Sequence, residues 1–158
     1  MARILVGVDG SEHSKRALRW AIEEAQLRDA RVTMVHAYEP ARVRSPYTYS
    51  YSAMPGTLTD DLREQEREWR QQQEEQVRQH AESAAARILE SVVDTPKRGQ
   101  VETLVVPRDP ADVLVELSRN ADLLVMGSRG YGGFKGLLLG SVSQKCVSHS
   151  RCPVVILR

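Results

Sequence analysis

The feature that most restricts this chain is a change of hydrophobic period that recurs along it. "RILVGVD" (Arg3 to Asp9) is an unbroken apolar run closed by Asp and Gly, the pattern of a short strand buried on both faces. Directly after it, Ala17, Leu18, Ala21, Ile22 and Ala25 recur at three- and four-residue spacing. That spacing predicts a helix to about Arg28, capped by Ser11 or Ser14. "RVTMVHAY" reads as a second strand, and "QVETLVV", after the turn residues "PKRGQ", as a third. In "RDPADVLVELSRN", Asp109 supplies a helix cap, Pro110 takes the first helical position, and Val113, Leu114 and Leu117 form a buried face. "ADLLVMG" is a fourth strand. Ser141 with Gln144 predicts a capping box that opens a last helix through Val142, Cys146 and Val147, and Pro153 ends it before the fifth strand, "VVILR". Strands and helices in this alternation, joined by right-handed crossovers, predict an open α/β domain: a parallel five-stranded sheet with helices on both faces.

One segment breaks the rhythm. "EPARVRSPYTYSYSAMPGT", Glu39 to Thr57, is rich in Pro, Ser and Tyr and predicts a long surface loop. A helix is expected from Leu58 to Val92, in two unlike halves. The first carries only Leu62, Trp69 and Val77 among charges and glutamines, whereas Ala81, Ala84, Ala85, Ile88, Leu89 and Val92 have the spacing of a helix packed on a sheet. At 158 residues and 41 % hydrophobic content the chain suits a single domain, 1–158, with the loop and polar helix at about 40–80 as an extension.

Charge and cysteine content narrow the function classes. A formal net charge of +1 gives no general attraction to nucleic acid or an anionic membrane, so neither is expected as a partner. No apolar run approaches the roughly 20 residues of a membrane span, and "MARILVGVDG" lacks a signal-peptide core, which together predict a cytoplasmic protein. Cys146 and Cys152 are then reduced thiols rather than a disulfide. His13, His36, His80 and His149 share no metal-ligand spacing.

The chemistry is concentrated in "MGSRGYGGFKGLLLGSVS", Met126 to Ser143. Lys135, between Phe134 and Gly136, does not fit the GxxxxGK pattern of a Walker loop, and it also stands where a dinucleotide GxGxxG would need its third glycine. What remains is Gly127 and Gly130, then nine residues, then Gly140 and Ser141. Gly127 falls at the carboxyl end of the fourth strand and Gly140 at the start of the next helix, two places that converge in open α/β sheets. Amides of Gly140, Ser141 and Val142 at the positive end of the helix dipole predict an anion site, with the hydroxyls of Ser141 and Ser143 as further donors. Gly132, Gly133 and Gly136 are read as flexibility between the two clusters.

This GxxGx9GS pattern after "ADLLVMGSRG", followed by "SVSQKCVSHSRCPVVILR" and preceded by "ILVGVDGSEHS", resembles the universal stress protein family in its ATP-binding branch. The likeness covers almost the whole chain except about Pro40 to Gln79. It implies a Rossmann-like, adenine-nucleotide α-hydrolase-like sheet with strand order 3-2-1-4-5. It also implies ATP as ligand, with Mg2+ or Mn2+ bridging its phosphates; the sequence itself shows no dedicated metal cluster. Asp9 would then lie beside the ribose, with Gly7 and Val8 lining the same pocket, and Ala37 would meet the adenine. Met126 and Gly127 would floor the nucleoside end, while Ser128, Arg129 and Gly130 with Gly140, Ser141, Val142 and Ser143 would surround the phosphates. Gly7 is a departure, since some relatives carry proline there.

The function this implies is a nucleotide-dependent regulatory or signalling module in the stress response, with slow or no ATP hydrolysis. The same resemblance implies a homodimer through the apolar C-terminal strand, 153–157, which would otherwise be an open sheet edge. Two other classes are weighed against it. One is a nucleotide-independent interaction protein that recruits an unknown protein partner through the segment at about 40–80. The other is an adenylating enzyme of the pyrophosphatase type, which would resemble "SGGxDS" where this chain has "VDGSEHS".

Overall fold

The computed structural model describes residues 1–40, 60–93, 101–130 and 138–158. The readings of the loop over residues 41–57, of the turn "PKRGQ", and of Gly132, Gly133, Lys135 and Gly136 lie outside them. By its internal contacts the chain divides into two compact units, one of Met1–Glu39 with Ala81–Arg158 and one of Pro40–His80.

In the larger unit, strands β1 (Arg3–Gly7), β2 (Arg31–Ala37), β3 (Val101–Val106), β4 (Leu123–Gly127) and β5 (Val154–Leu157) form a parallel sheet in the order β3-β2-β1-β4-β5. This is the expected 3-2-1-4-5 order. Among the described residues the helices are α1 (Glu12–Arg28), α2 (Asp60–Val92), α3 (Pro110–Leu117) and α4 (Ser141–His149), with a 3-10 turn at Ser118–Asn120.

Side chains alternate across each strand, and this alternation separates two cores. Ile4, Val6, Val32, Met34 and Val125 point to one face, where Ala17, Leu18, Ala21 and Ile22 of α1 and Ala85 and Ile88 of α2 meet them. Leu5, Val35, Leu124 and Met126 point to the other, against Ala111, Val113 and Leu114 of α3 and Cys146 of α4. Each face of the sheet is thus covered. Thr33 is the polar exception in the middle strands, 1 % exposed, and its hydroxyl donates to Glu102 (3.1 Å) and accepts from Arg3 Nε (3.3 Å). Both cysteines are free thiols, and burial pushes Cys146 up to about 11 and raises Cys152, so neither is a reactive thiolate.

The part of α2 within the smaller unit, Asp60 to His80, is largely exposed, with Leu62, Trp69 and Val77 half-buried. Its charges pair along its own surface, Arg70 with Glu66 and Arg78 with Glu75, each at 2.8 Å. Among the described residues no helix is long and apolar enough to cross a membrane.

Candidate functional site

Strand β1 pairs with β2 on one side and β4 on the other, so chain connections leave it in opposite directions and open a crevice beyond its carboxyl end. A cavity of about 510 Å³ lies there. That volume is within the range of a small-molecule site, roughly 300–1,000 Å³. Of the residues expected to bind, Gly7, Val8, Asp9, Ala37, Met126, Gly127, Arg129, Gly130, Gly140, Ser141, Val142 and Ser143 all line it. Ser14, Val35, Pro110, Leu114 and Leu139 line it as well. The sequence carries no local signal for these five. Ser14 reads as a candidate helix cap and Leu114 as part of a buried helix face, and only the crossing of α1 and α3 over the strand ends brings them to the cavity.

Ser128 does not line the cavity. It is 3 % exposed, and its backbone is a junction: its amide donates to Leu157 O at 2.7 Å and its carbonyl accepts from Gly140 N at 2.8 Å. The Gly140 amide is therefore engaged within the protein, contrary to the expectation that it is free for an anion. Ser143 is corrected in the same way, because its hydroxyl donates to Gly127 O at 2.8 Å and its proton is not available outward. The capping box expected of Ser141 and Gln144 does not form either. Gly140 occupies the N-cap with extended backbone (φ −77°, ψ 167°), no side chain caps the helix, and Ser141 is already its first residue. The first intrahelical bond is Gln144 N to Gly140 O, 2.9 Å, so the N–H groups of Ser141, Val142 and Ser143 precede the helix's own acceptors. These three residues line the cavity, and among the described residues no serine or aspartate side chain caps their amides, which stand at the positive end of the helix dipole.

The other helix starts contrast with this one. Ser11 caps α1 by accepting from Ser14 N (3.3 Å), and Asp109 caps α3 by accepting from Asp112 N (2.8 Å). Asp9 makes the turn into α1: its Oδ1 accepts from Ser11 N (2.9 Å) and Ser11 Oγ (2.6 Å). Gly10 follows at φ 91°, a conformation that favours glycine. Lys145 of α4 reaches Asp112 (2.6 Å) and Asp109 (3.6 Å) of α3, tying together the two helices that supply one wall. The Lys145 ammonium holds the Asp112 carboxyl below its usual range, and the carboxylate in turn raises Lys145.

The glycines differ in what excludes a side chain. A Cβ at Gly127 would stand 2.7 Å from His13 Cβ and 2.8 Å and 2.9 Å from backbone atoms of His13 and Ser14, so this glycine lets the start of α1 close on β4. A Cβ at Gly130 would stand 2.2 Å from Asp9 Oδ2, at the far end of a side chain. At Gly140 the nearest atoms would be 3.6–3.9 Å away, ordinary contact, and its φ is one any residue adopts. The protein itself has room for a side chain at this position.

The sequence model of the universal stress protein family matches residues 1–158. A universal stress protein encoded in the QAH/OAS sulfhydrylase 3′ region of Thermus aquaticus is 36 % identical over 157 residues, covering 98 % of this chain and 97 % of that protein. A universal stress protein of Mycobacterium tuberculosis is 32 % identical over 154 residues, and the chain spans only 46 % of its length. Among solved structures, a universal stress protein in complex with cAMP is 26 % identical with a TM-score of 0.55, the match covering 99 % of this chain and 96 % of the other. One from Archaeoglobus fulgidus, in complex with dAMP, is 21 % identical with a TM-score of 0.59, covering 100 % and 98 %, and shows the shared fold.

Proposed function

Because the chain belongs to the universal stress protein family, we propose that its cavity binds an adenine nucleotide, ATP with Mg2+ or Mn2+ on its phosphates, and that nucleotide occupancy regulates a stress response. One observation carries this reading: α4 begins at a glycine, at a place where the described residues leave room for a side chain, no described side chain caps it, and its first residues line a cavity. Helix starts left bare in this way suit a phosphate. The relative in complex with cAMP supports the choice of an adenine nucleotide.

In this reading the carbon-lined part of the cavity, Val35, Ala37, Leu114 and Met126, takes the base, and the Ser141 and Val142 amides with Arg129 take the phosphates. Among the described residues no group of three or more His, Cys, Asp or Glu could hold a metal, so a divalent cation would be held through the phosphates. Asp9, which lines the cavity, turns one carboxylate oxygen to Ser11 in the turn into α1, a structural role, and in this reading hydrolysis is slow or absent. Two copies pair through β5, whose four apolar residues stand half-buried at the sheet edge without a charge among them.

Mass analysis of small molecules released from the purified, denatured protein, with calorimetric titration of the emptied protein by MgATP, tests the proposal. ATP or another adenine nucleotide is expected in the released fraction, with saturable rebinding. Failure of the emptied, folded protein to bind any adenine nucleotide would overturn it.

A further inference from the structure

Three residues stand in one row across the carboxyl end of the sheet: Val35 on β2, Gly7 on β1 and Met126 on β4. All three line the cavity, and Val35 and Met126 are buried on the face covered by α3 and α4. The middle of the row has no side chain. Leu114 of α3 fills that place: a Cβ at residue 7 would stand 2.8 Å from Leu114 Cδ1 and 3.4 Å from Cδ2. Gly7 is not among the residues at positive φ, so backbone conformation does not explain it. Its physical consequence is that the Leu114 isobutyl group lies directly on the strand.

Leu114 is 3 % exposed and sits in the core that includes Leu5, Ala111 and Leu124, and it also lines the cavity. Close-packed neighbours do not yield by a methyl group, whereas the cavity does. A side chain at residue 7 would therefore drive Leu114 into the cavity. We infer that the Leu114–Gly7 contact sets the depth of the apolar slot between Val35 and Met126, and makes Leu114 the side chain that selects which ring system the slot admits. This rests on the nucleotide reading above. The slot is walled by carbon, so the selection acts through shape on a flat base and leaves phosphate binding alone.

Titration of the full chain with adenosine, with MgATP and with tripolyphosphate separates the two ends of the site. Gly7→Ala is expected to weaken adenosine and MgATP by about tenfold, the effect of one misplaced methyl group in an apolar pocket, and to leave tripolyphosphate unchanged. Gly7→Ala with Leu114→Val adds one methyl and removes one methylene, and should recover adenosine to within about threefold of the unsubstituted protein. Leu114→Val alone, which only removes atoms, should improve binding of the enlarged base 1,N6-ethenoadenosine relative to adenosine. Folding of each variant is checked by circular dichroism. If Gly7→Ala folds and binds adenosine normally, or if Leu114→Val neither rescues it nor shifts the preference for the enlarged base, the inference falls while the nucleotide reading stands. If the unsubstituted protein binds neither adenosine nor MgATP, the nucleotide reading itself fails, and the slot assignment with it.

Discussion

Gly127 and Gly140 look alike in the sequence, and their surroundings give them opposite meanings. At Gly127 the atoms a Cβ would strike belong mostly to the α1 backbone, which cannot rotate away. Gly127→Ala should cost about 1–3 kcal/mol of stability, read as a lowered denaturant midpoint, whether or not nucleotide is present. Gly140→Ser makes the reverse prediction. Serine is as good an N-cap as glycine or better, by a few tenths of a kcal/mol, so the melting temperature should hold or rise. Its hydroxyl would take one of the first-turn amides that the proposed phosphate site uses, and a lost hydrogen bond to a charged group, about 1.5–3 kcal/mol, should then lower MgATP affinity at least tenfold. Calorimetry on a variant of unchanged stability checks this, and unchanged affinity would remove Gly140 from the site.

At the scale of elements, α3 depends on a single side chain at its start. Asp109→Ala removes the bond from Asp112 N and leaves Lys145 with Asp112 alone. A lost cap costs about 1 kcal/mol, which in a chain of this size lowers the melting temperature by roughly 2–4 °C. Thermal scans in matched buffer would detect it. The strands and helices themselves were legible because each apolar run or helical period reports burial on a known face, and Ser11 and Asp109 stand at the caps their sequence suggests. The start of α4 was not. "GSVSQ" satisfies a capping-box pattern at Ser141, but the pattern carries no information about Ser128 O, which takes the Gly140 amide and moves the helix start back by one residue. For the same reason the spacing singles out Gly127, Gly130, Gly140 and Ser141, which line the cavity, but not Ser14, Val35 and Leu114, which reach it only through the crossing of elements distant in sequence.

At the scale of the whole molecule, the open edge of β5 is the feature with the largest consequence. Pro153 O accepts from Leu124 of β4 and Leu157 O from Ser128 just after it, so by the alternation of a parallel ladder the backbone groups of Val154 and Ile156 point outward. Ile156→Pro removes an outward N–H and leaves the inward ladder whole, which an edge strand tolerates. Light scattering should give a dimer mass for the unsubstituted chain and a monomer mass for this variant, with its circular dichroism preserved. A monomer mass for the unsubstituted chain would end the edge-pairing proposal. The unit Pro40–His80 is compact in its own right, and a recruiting role for it is independent of either outcome. One residue, Ser128, joins the last strand to the start of α4, its N–H bonded to Leu157 O and its C=O to Gly140 N. Substitutions that alter β5 are therefore pleiotropic: a library selected only for edge-strand stability is also, through Ser128, a selection on the start of α4 and on the nucleotide affinity proposed for it, and the two traits cannot be varied as though they were separately inherited.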